Sequence, residues 1–326
     1  MRTNKTKNKV ESNKLRKSQF SIQEPLGFLK NANIKQQLYT IYVMAVFIPI
    51  TLIGSFLLWN TNRLLTNYHR DLLESDNLRV KTILFEITTQ LYNISEEIAF
   101  DDTVQSVLEQ SYAQKEKQLD AINRNAVLDN YVYNHSEIEQ IEIYTDNPNV
   151  YEYKQYYAAD ESIKATDWYQ KSTQTSGVFW TEMESIDRYE NSYWNLCLVR
   201  KIPLVQSKYH AVLVIRLSDN YLKTRVNSQE YEMTISVNEG VVFYSSDKKM
   251  YGKPQMIEIT YGDKYFQKEG NALVDGKKYY MEVTTLPLYQ SESDIYVCTY
   301  NTQSYASINR IIYVCTIIII VALVPQ

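Results

Sequence analysis

Glycine, histidine and cysteine are scarce in this chain of 326 residues, which holds eight Gly, three His and three Cys. No two glycines have the G-x-G spacing of a loop that cradles phosphates. The histidines, His69, His135 and His210, are dispersed, so no Ser/His/Asp triad is indicated. No CxxC pair or Cys/His spacing suggests a metal site. We therefore predict a chain with no metal, no cofactor and no catalytic residues.

Charge is distributed unevenly, although the net charge is only -4. Residues 1–37 carry nine Lys or Arg against two Glu, and Arg310 adds one positive charge, so residues 38–309 carry -12. A basic arm could bind nucleic acid, but the uncharged run that follows it favours a membrane. We therefore predict that the chain occupies two compartments and has no nucleic-acid partner.

The uncharged run is "LYTIYVMAVFIPITLIGSFLLW", the 22 residues Leu38–Trp59. A helix needs about 20 residues to cross a bilayer, and the basic residues before it predict a cytoplasmic N-terminus. Pro49 is tolerated better in a span than in a soluble helix. A cleaved signal peptide fits poorly, because the run is too long and no small-x-small site follows it. We predict a cytoplasmic segment at 1–37 and a transmembrane helix at 38–59.

A second apolar run, "IIYVCTIIIIVALVPQ", closes the sequence. Its 14 residues from Ile311 to Val324 would cover about 21 Å as a helix, against a hydrocarbon core of about 30 Å. A buried C-terminal helix or a core strand is the alternative, since "TIIIIV" is β-branched. We favour an incomplete second span at 305–326, which would make the chain a fragment or the product of a prematurely ended reading frame. Residues 60–310 would then lie outside the cell.

The segment after the first span reads as helix, because no Gly or Pro occurs between Ser55 and Asn147. Apolar residues recur at steps of three and four from Val80 to Ile98, which predicts one buried helical face. The first helix is therefore expected to continue over 60–100, to a length of about 60 Å. A short helix capped by Asp101 or Asp102 and another from Gln114 to Asn134 should follow.

After His135 the hydrophobic period changes to two, and the sequence predicts two successive α+β units. The first, at 101–228, has two strands around an Asp-Asn-Pro-Asn turn, a short helix ended by Gly177, three more strands and a helix capped by Ser218. The second, at 229–304, is smaller and mostly antiparallel. It has hairpins at 238–240 and 275–276 and a last strand, "SDIYVCTY".

This order of span, long helix, two sandwich units and span resembles a double-Cache (dCache) extracellular sensor. The similarity is carried by the stretches "NIKQQLYTIYVMAVFIPITLIGSFLL", "DWYQKSTQTSGVFWTEM", "LVRKIPLVQSKYHAVLVIRLSDNYL" and "VNEGVVFYSSDKKMYGK". They are similar to YesM-type sensor histidine kinases from Gram-positive bacteria. The resemblance implies an α+β fold with a distal (101–228) and a proximal (229–304) PAS-like Cache unit. It also implies a kinase core beyond the second span. This sequence contains none, so the chain itself is not expected to be an enzyme.

The resemblance places Trp168 and Tyr169 at the ligand pocket of the distal unit, and we add Tyr144 and Trp180 as aromatic candidates. For any single Tyr the alternative is a packing role. Arg200 and Arg216 are candidates to meet a carboxylate or a uronate, and the alternative for each is an exposed strand face or a surface ion pair.

The branch of these sensors that binds amino acids carries an Arg two residues before the Trp-Tyr pair and an Asp on the last distal strand. In this sequence Thr166 occupies the first position, and the second aligns loosely with Arg216. An amino acid would therefore lose two charge-assisted hydrogen bonds of about 1.5–3 kcal/mol each. We expect a carbohydrate or an organic acid rather than an amino acid.

The resemblance implies a homodimer in the bilayer in which ligand binding shifts the second span by about 1–2 Å. A response regulator is a partner only if a kinase core follows. The alternatives are a chemoreceptor or cyclic-dinucleotide enzyme with the same sensor, a membrane-tethered binding protein without output, and a decayed gene product. Cys197 and Cys298 could pair outside the cell, but buried free thiols are favoured.

Overall fold

A computed structural model describes residues 33–300 of the chain, apart from short gaps. The gaps are residues 111, 113, 176, 187–189, 191, 206, 228–230, 239, 256, 265–266, 275–276, 289–290 and 292. The predicted second span at 305–326 and nearly all of the basic segment at 1–37 lie outside the described residues. The chain divides into two compact units, one up to Leu65 and one from Thr66 onward.

The first unit contains the start of helix α1, which runs from Ile34 to Ala99 and includes Pro49. An 18-residue window of this helix has a mean hydropathy of 2.3, and none of it is buried within the protein. By length and composition α1 is therefore able to cross a membrane, as the sequence predicts for Leu38–Trp59.

In the second unit, α1 buries the face that the sequence periodicity predicts. Val80, Leu84, Leu91 and Ile98 are fully buried, and each lies three, four or seven residues from another buried position. These buried positions lie between Val80 and Ile98, where the apolar steps of three and four predicted a buried face. Asn77 on the same face is also fully buried, and its Nδ2 donates to the carbonyls of Glu282 (3.1 Å) and Val297 (2.8 Å).

Six further α-helices, a 3-10 helix (Lys248–Met250) and eleven strands follow α1 among the described residues. The helices are α2 (Asp102–Glu109), α3 (Lys115–Asn125), α4 (Val127–Asn134), α5 (Glu161–Lys164), α6 (Asp167–Gln174) and α7 (Asp219–Val226). The first strands are β1 (Ile138–Thr145), β2 (Tyr156–Ala158), β3 (Val178–Ile186), β4 (Ser192–Ile202) and β5 (Ala211–Leu217). The others are β6 (Glu232–Val237), β7 (Val242–Ser245), β8 (Ile257–Lys264), β9 (Gln267–Val274), β10 (Lys277–Pro287) and β11 (Asp294–Tyr300).

Two of the predicted helix caps are present. The Asp101 side chain accepts from the Val104 amide at the start of α2, and Ser218 accepts from the Tyr221 amide at the start of α7. The helix predicted over Gln114–Asn134 is wrong in its continuity, because Ala126 adopts a left-handed conformation (φ 44°) and separates α3 from α4. A straight helix turns about 240° in six residues, so only a break lets Ile122 and Leu128 reach the same core.

The first sheet has the order β2-β1-β5-β4-β3, and its five strands match the number predicted. The prediction of two strands around the Asp-Asn-Pro-Asn turn is wrong in detail, because β2 has three residues and pairs with β1 in parallel. Tyr153 and Tyr156 pair with each other, and Lys154 between them has a φ of 52°. This local reversal returns the chain to β1 in the parallel direction.

The second sheet has the order β7-β6-β11-β10-β9-β8, and all its pairings are antiparallel, as predicted. The two predicted hairpins are confirmed by the pairing of β6 with β7 and of β9 with β10, where Lys277 lies opposite Val274. Strand β8 was not predicted. It contains two register shifts and a glycine, which weaken its period-two pattern.

The two sheets share one hydrophobic core with α1 and meet directly between β3 and β6. Glu182 on β3 accepts from the backbone amide of Val237 at 3.1 Å, and the Ser293 hydroxyl donates to the carbonyl of Trp180 at 3.3 Å. A side chain at Gly240 would meet the Glu182 carboxylate oxygen at 2.6 Å, so glycine permits this close approach. Burial raises the pKa of Glu182.

Candidate functional site

The two faces of the first sheet have different surroundings. One face packs into the core that contains α1, and its members include Ile141, Ile143, Leu198 and Leu213. The opposite face carries a separate cluster, to which α5 and α6 contribute. That cluster is formed by Ala159, Tyr169, Phe179, Met183, Cys197, Val199, Val212 and Val214, with Tyr144, Ile163 and Trp168 packed against it. We call this second surface the aromatic face.

Four aromatic side chains group on the aromatic face. The Tyr144 ring lies 5.3 Å from that of Trp168 and 5.5 Å from that of Tyr157, and the Trp168 and Tyr169 rings are 5.7 Å apart. Tyr169 is buried, whereas Tyr144, Tyr157 and Trp168 are only partly covered. Partly open rings that already contact one another offer a flat apolar surface to a small molecule.

Helix α6 brings the Trp-Tyr pair to this surface. Asp160 caps α5 by accepting from the Ile163 amide at 2.9 Å, and a tight connection then leads into α6. The Thr166 hydroxyl donates to the Ile163 carbonyl at 2.6 Å. The Thr166 hydroxyl is therefore already used within its own segment.

A buried ion pair lies on the same face as the aromatic group. Arg216 Nε is 3.0 Å from Glu142 Oε2, and the two side chains are 15% and 8% exposed. Gln140 Nε2 donates to the other Glu142 oxygen at 3.0 Å, and Arg216 Nη1 donates to the Ser185 hydroxyl at 3.2 Å. Arg216 is thus not a lone positive charge, because Glu142 neutralises it.

The pKa of Tyr144 depends on its burial and on the adjacent ion pair. Burial, and then the nearby Glu142 carboxylate, raises the pKa of Tyr144 well above its usual range. The Tyr144 hydroxyl is neutral at physiological pH, as tyrosine hydroxyls ordinarily are, and such a hydroxyl is able both to donate and to accept.

A second polar group continues this surface along the sheet. Glu139 accepts from the Tyr193 hydroxyl at 2.6 Å and from Asn195 Nδ2 at 2.8 Å, and Asn195 in turn accepts from the Ser185 hydroxyl at 2.6 Å. The register between β1 and β5 shifts next to Glu139, between Ile138 and Gln140. This irregularity lets two successive side chains of β1 contribute to the polar network.

The structure separates the six predicted site residues into two sets. Tyr144, Trp168, Tyr169 and Arg216 share the aromatic face. Trp180 and Arg200 belong to the opposite side of the sheet, toward α1.

Packing accounts for both residues on that side. Trp180 is buried in the core shared with α1. Arg200 donates from Nε to the Ser95 hydroxyl at 2.9 Å, and its guanidinium lies 4.7 Å from the centre of the Tyr92 ring. A ligand on the aromatic face is separated from Trp180 and Arg200 by the sheet.

Sequence reasoning missed Glu142, which becomes the central acid of the site. The signal was present, because residues two apart on a strand point to the same face and Glu142 precedes Tyr144 by two. Its pairing with Arg216 follows from the antiparallel register, in which Gln140 lies opposite Arg216 and Glu142 opposite Val214. The pair is a diagonal contact between neighbouring strands.

The two cysteines of the described region are buried free thiols, as the sequence analysis favoured. Cys197 lies in the first sheet and Cys298 in the second. Burial raises the pKa of each thiol to about 12, so neither is reactive in the folded protein. Within the described ranges no group of His, Cys, Asp or Glu side chains has the arrangement of a metal site.

Comparison with known proteins identifies the fold rather than a family. No family model matches this sequence, and no curated protein matches it. Solved structures do match. The periplasmic sensory domain of the Campylobacter jejuni chemoreceptor Tlp1 has a TM-score of 0.52 and 12% identity over 73% of this chain and 96% of that domain.

Two other structures are also similar. The extracellular domain of the histidine kinase vpHK1S-Z8 has a TM-score of 0.50 and 12% identity over 73% of this chain and 95% of its own. The third is the ligand-binding domain of the Pseudomonas aeruginosa PAO1 amino acid chemoreceptor PctC, in complex with GABA. It has a TM-score of 0.48 and 12% identity over 72% of this chain and 98% of that domain.

The described part of this chain, a long helix and two sheets in a mixed α+β arrangement, shares its fold with the periplasmic domain of Tlp1 and the extracellular domain of vpHK1S-Z8. This shared fold agrees with the α+β fold that the sequence analysis predicted.

Proposed function

We propose that this chain is the sensory half of a membrane-anchored two-component sensor, of the YesM type of histidine kinase. Its first span is Leu38–Trp59, residues 60–310 are extracellular, and residues 305–326 begin a second span. The distal unit is residues 101–228 and the proximal unit is residues 229–304. The fold similarity to Tlp1 and vpHK1S-Z8 and the apolar start of α1 support this proposal.

The observation that carries the proposal is the aromatic face, where partly open rings lie beside a fixed ion pair. We infer that a small molecule binds there, in contact with Tyr144, Trp168, Tyr169 and Arg216. A carbohydrate or an organic acid fits better than an amino acid, because Thr166 is engaged within its own segment and Arg216 is held by Glu142. Binding pockets of this kind combine apolar rings with few polar groups.

Signal transmission would use the core that links α1 to both sheets. Asn77 on α1 donates to carbonyls of β10 and β11, and β11 leads toward residues 301–310. A ligand shifts the balance between two packings only by its difference in affinity for them. In a homodimer this shift would displace the second span by about 1–2 Å. A response regulator is the partner if a kinase core follows.

A ligand screen with a matched pair of variants tests the proposal. We expect at least one compound in a library of sugars, organic acids and amino acids to raise the melting temperature of the detergent-solubilised full chain. Trp168→Ala should weaken that compound's affinity at least about tenfold, because it removes a contacting ring. Phe85→Ala, on an exposed part of α1, should leave the affinity unchanged. Binding that is indifferent to Trp168 would refute the assignment of the site.

A second candidate is a chemoreceptor with the same sensor, and the similarity to the sensory domain of Tlp1 favours it over other outputs. A cyclic-dinucleotide enzyme and a membrane-tethered binding protein share the same predicted site. The genomic sequence downstream of the codon for Gln326 distinguishes them. A phosphoacceptor helix with ATP-binding glycine boxes indicates a kinase, and a long helical coiled coil indicates a chemoreceptor.

A further inference from the structure

We propose that Glu142 sets the ligand class of this site, by neutralising Arg216 so that the aromatic face selects a neutral, hydroxyl-rich molecule such as a saccharide over an anionic one. This inference rests on the proposed function, because it concerns the same binding face. Of the two ligand classes proposed above, carbohydrate and organic acid, it selects carbohydrate.

The charge balance of the face disfavours an anion. Glu142 and Arg216 are in direct contact at 3.0 Å, and both are largely buried. A carboxylate ligand at Arg216 would lose its hydration and would also face the Glu142 charge at close range. Glu139, within the adjoining network, adds a second acid to this part of the face. The guanidinium therefore does not act as a free anion receptor.

The same pair suits hydroxyl groups. A guanidinium has five N–H donors, and described residues take up two of those on Arg216, through Glu142 and Ser185. A carboxylate has about four acceptor positions. Gln140 and Arg216 each donate to one Glu142 oxygen, and the Tyr144 hydroxyl also hydrogen-bonds to Glu142. Donors and acceptors are thus fixed side by side. A hydroxyl both donates and accepts, so neighbouring hydroxyls of one molecule match this alternation.

The aromatic group supplies the apolar part of the match. Sugar rings have apolar C–H surfaces, and these pack against the flat faces of Trp and Tyr rings. The side chains of Trp168, Tyr144 and Tyr157 remain partly open. The Tyr144 ring centre lies 5.3 Å from that of Trp168 and 5.5 Å from that of Tyr157. The Tyr144 hydroxyl is kept neutral, so it adds no charge to this surface. An open aromatic surface beside a neutralised polar pair is the combination expected for a saccharide.

Matched sugars test the role of Glu142 directly. The full chain in lipid nanodiscs is titrated calorimetrically with neutral mono- and disaccharides and with the corresponding uronic acids, for example galactose against galacturonate. We expect a neutral sugar to bind at least about tenfold more tightly than its uronic acid. Glu142→Gln keeps the side-chain shape but removes the charge, so it should shift the preference at least about tenfold toward the uronic acid.

Three results would overturn the inference. They are a wild-type preference for the uronic acid, tight binding of an amino acid, and the absence of binding by every neutral sugar in the panel. The wild-type measurements test the preference for a neutral sugar even if Glu142→Gln folds poorly. An unchanged preference in a folded Glu142→Gln would also overturn the role given to Glu142. Asp129→Asn removes an acid from an exposed ion pair elsewhere and should leave the preference unchanged. These results would leave the sensor proposal standing, because that proposal requires only that some ligand binds and that its binding depends on Trp168.

Discussion

Replacing Leu84 by alanine is expected to destabilise the protein by about 2–5 kcal/mol, because it opens a cavity in the core where α1 packs. Leu84 is 0% exposed and belongs to the core that α1 shares with both sheets. Each kcal/mol corresponds to about 2–4 °C in a domain of this size, so the melting temperature should fall by about 4–20 °C. Thermal melting followed by circular dichroism of the detergent-solubilised chain measures the change.

Leu78 provides the matched control on the same helix. It is 40% exposed, so Leu78→Ala leaves little cavity and should cost no more than about 0.5 kcal/mol. Equal losses for the two variants would show that α1 does not pack on the sheets through the Leu84 face. The contrast therefore tests both the helix and the face assigned to it.

Removing the acid of the buried ion pair should also have a large effect. Glu142→Ala leaves the Arg216 guanidinium without its counter-charge in a largely buried position, and we expect a loss of about 3 kcal/mol in stability. Most of this loss is the cost of an uncompensated buried charge rather than the net value of the pair. Guanidinium chloride unfolding, with the midpoint and slope both measured, gives the free energy.

An exposed pair in the same unit gives the comparison. Lys154 Nζ lies 2.6 Å from Asp129, and the two side chains are 31% and 39% exposed. Asp129→Asn should cost no more than about 1 kcal/mol, since solvent screens such a pair. If Glu142→Ala were as mild as Asp129→Asn, then Arg216 would not be buried with Glu142 as its counter-charge.

The sequence predicted the elements whose signals are local and repeated. The apolar steps from Val80 to Ile98 placed the buried face of α1, and the Asp275-Gly276 pair predicted the connection between β9 and β10. The cap at Ser218 depends on residues three apart, so it too was visible in the sequence.

The errors concern features that depend on distant contacts. The break at Ala126 exists because Ile122 and Leu128 must reach one core, and no breaker residue signals it. The parallel pairing of β2 depends on a reversal at Lys154, a residue type that rarely adopts a positive φ.

The candidate site shows the same division. The resemblance gave Trp168 and Tyr169, and the structure groups them with Tyr144 and Arg216. Trp180 and Arg200 were chosen by residue type alone, and strand alternation puts them on the other side of the sheet. Glu142 was overlooked, because its importance comes from a cross-strand contact with Arg216 that the sequence shows only once the register is known.

The central claim is that the two-sheet region lies outside the cell while the basic segment lies inside, and cysteine labelling of intact cells tests it most directly. In a Cys315→Ser background, Val205→Cys places a thiol at a position that is 88% exposed, between β4 and β5, and Ser12→Cys places one in the basic segment. The native Cys197 and Cys298 are buried and stay unreactive.

A membrane-impermeant maleimide should label Val205→Cys on intact cells and Ser12→Cys only after the membrane is permeabilised. Labelling of Ser12→Cys on intact cells, with Val205→Cys protected until permeabilisation, would contradict the account.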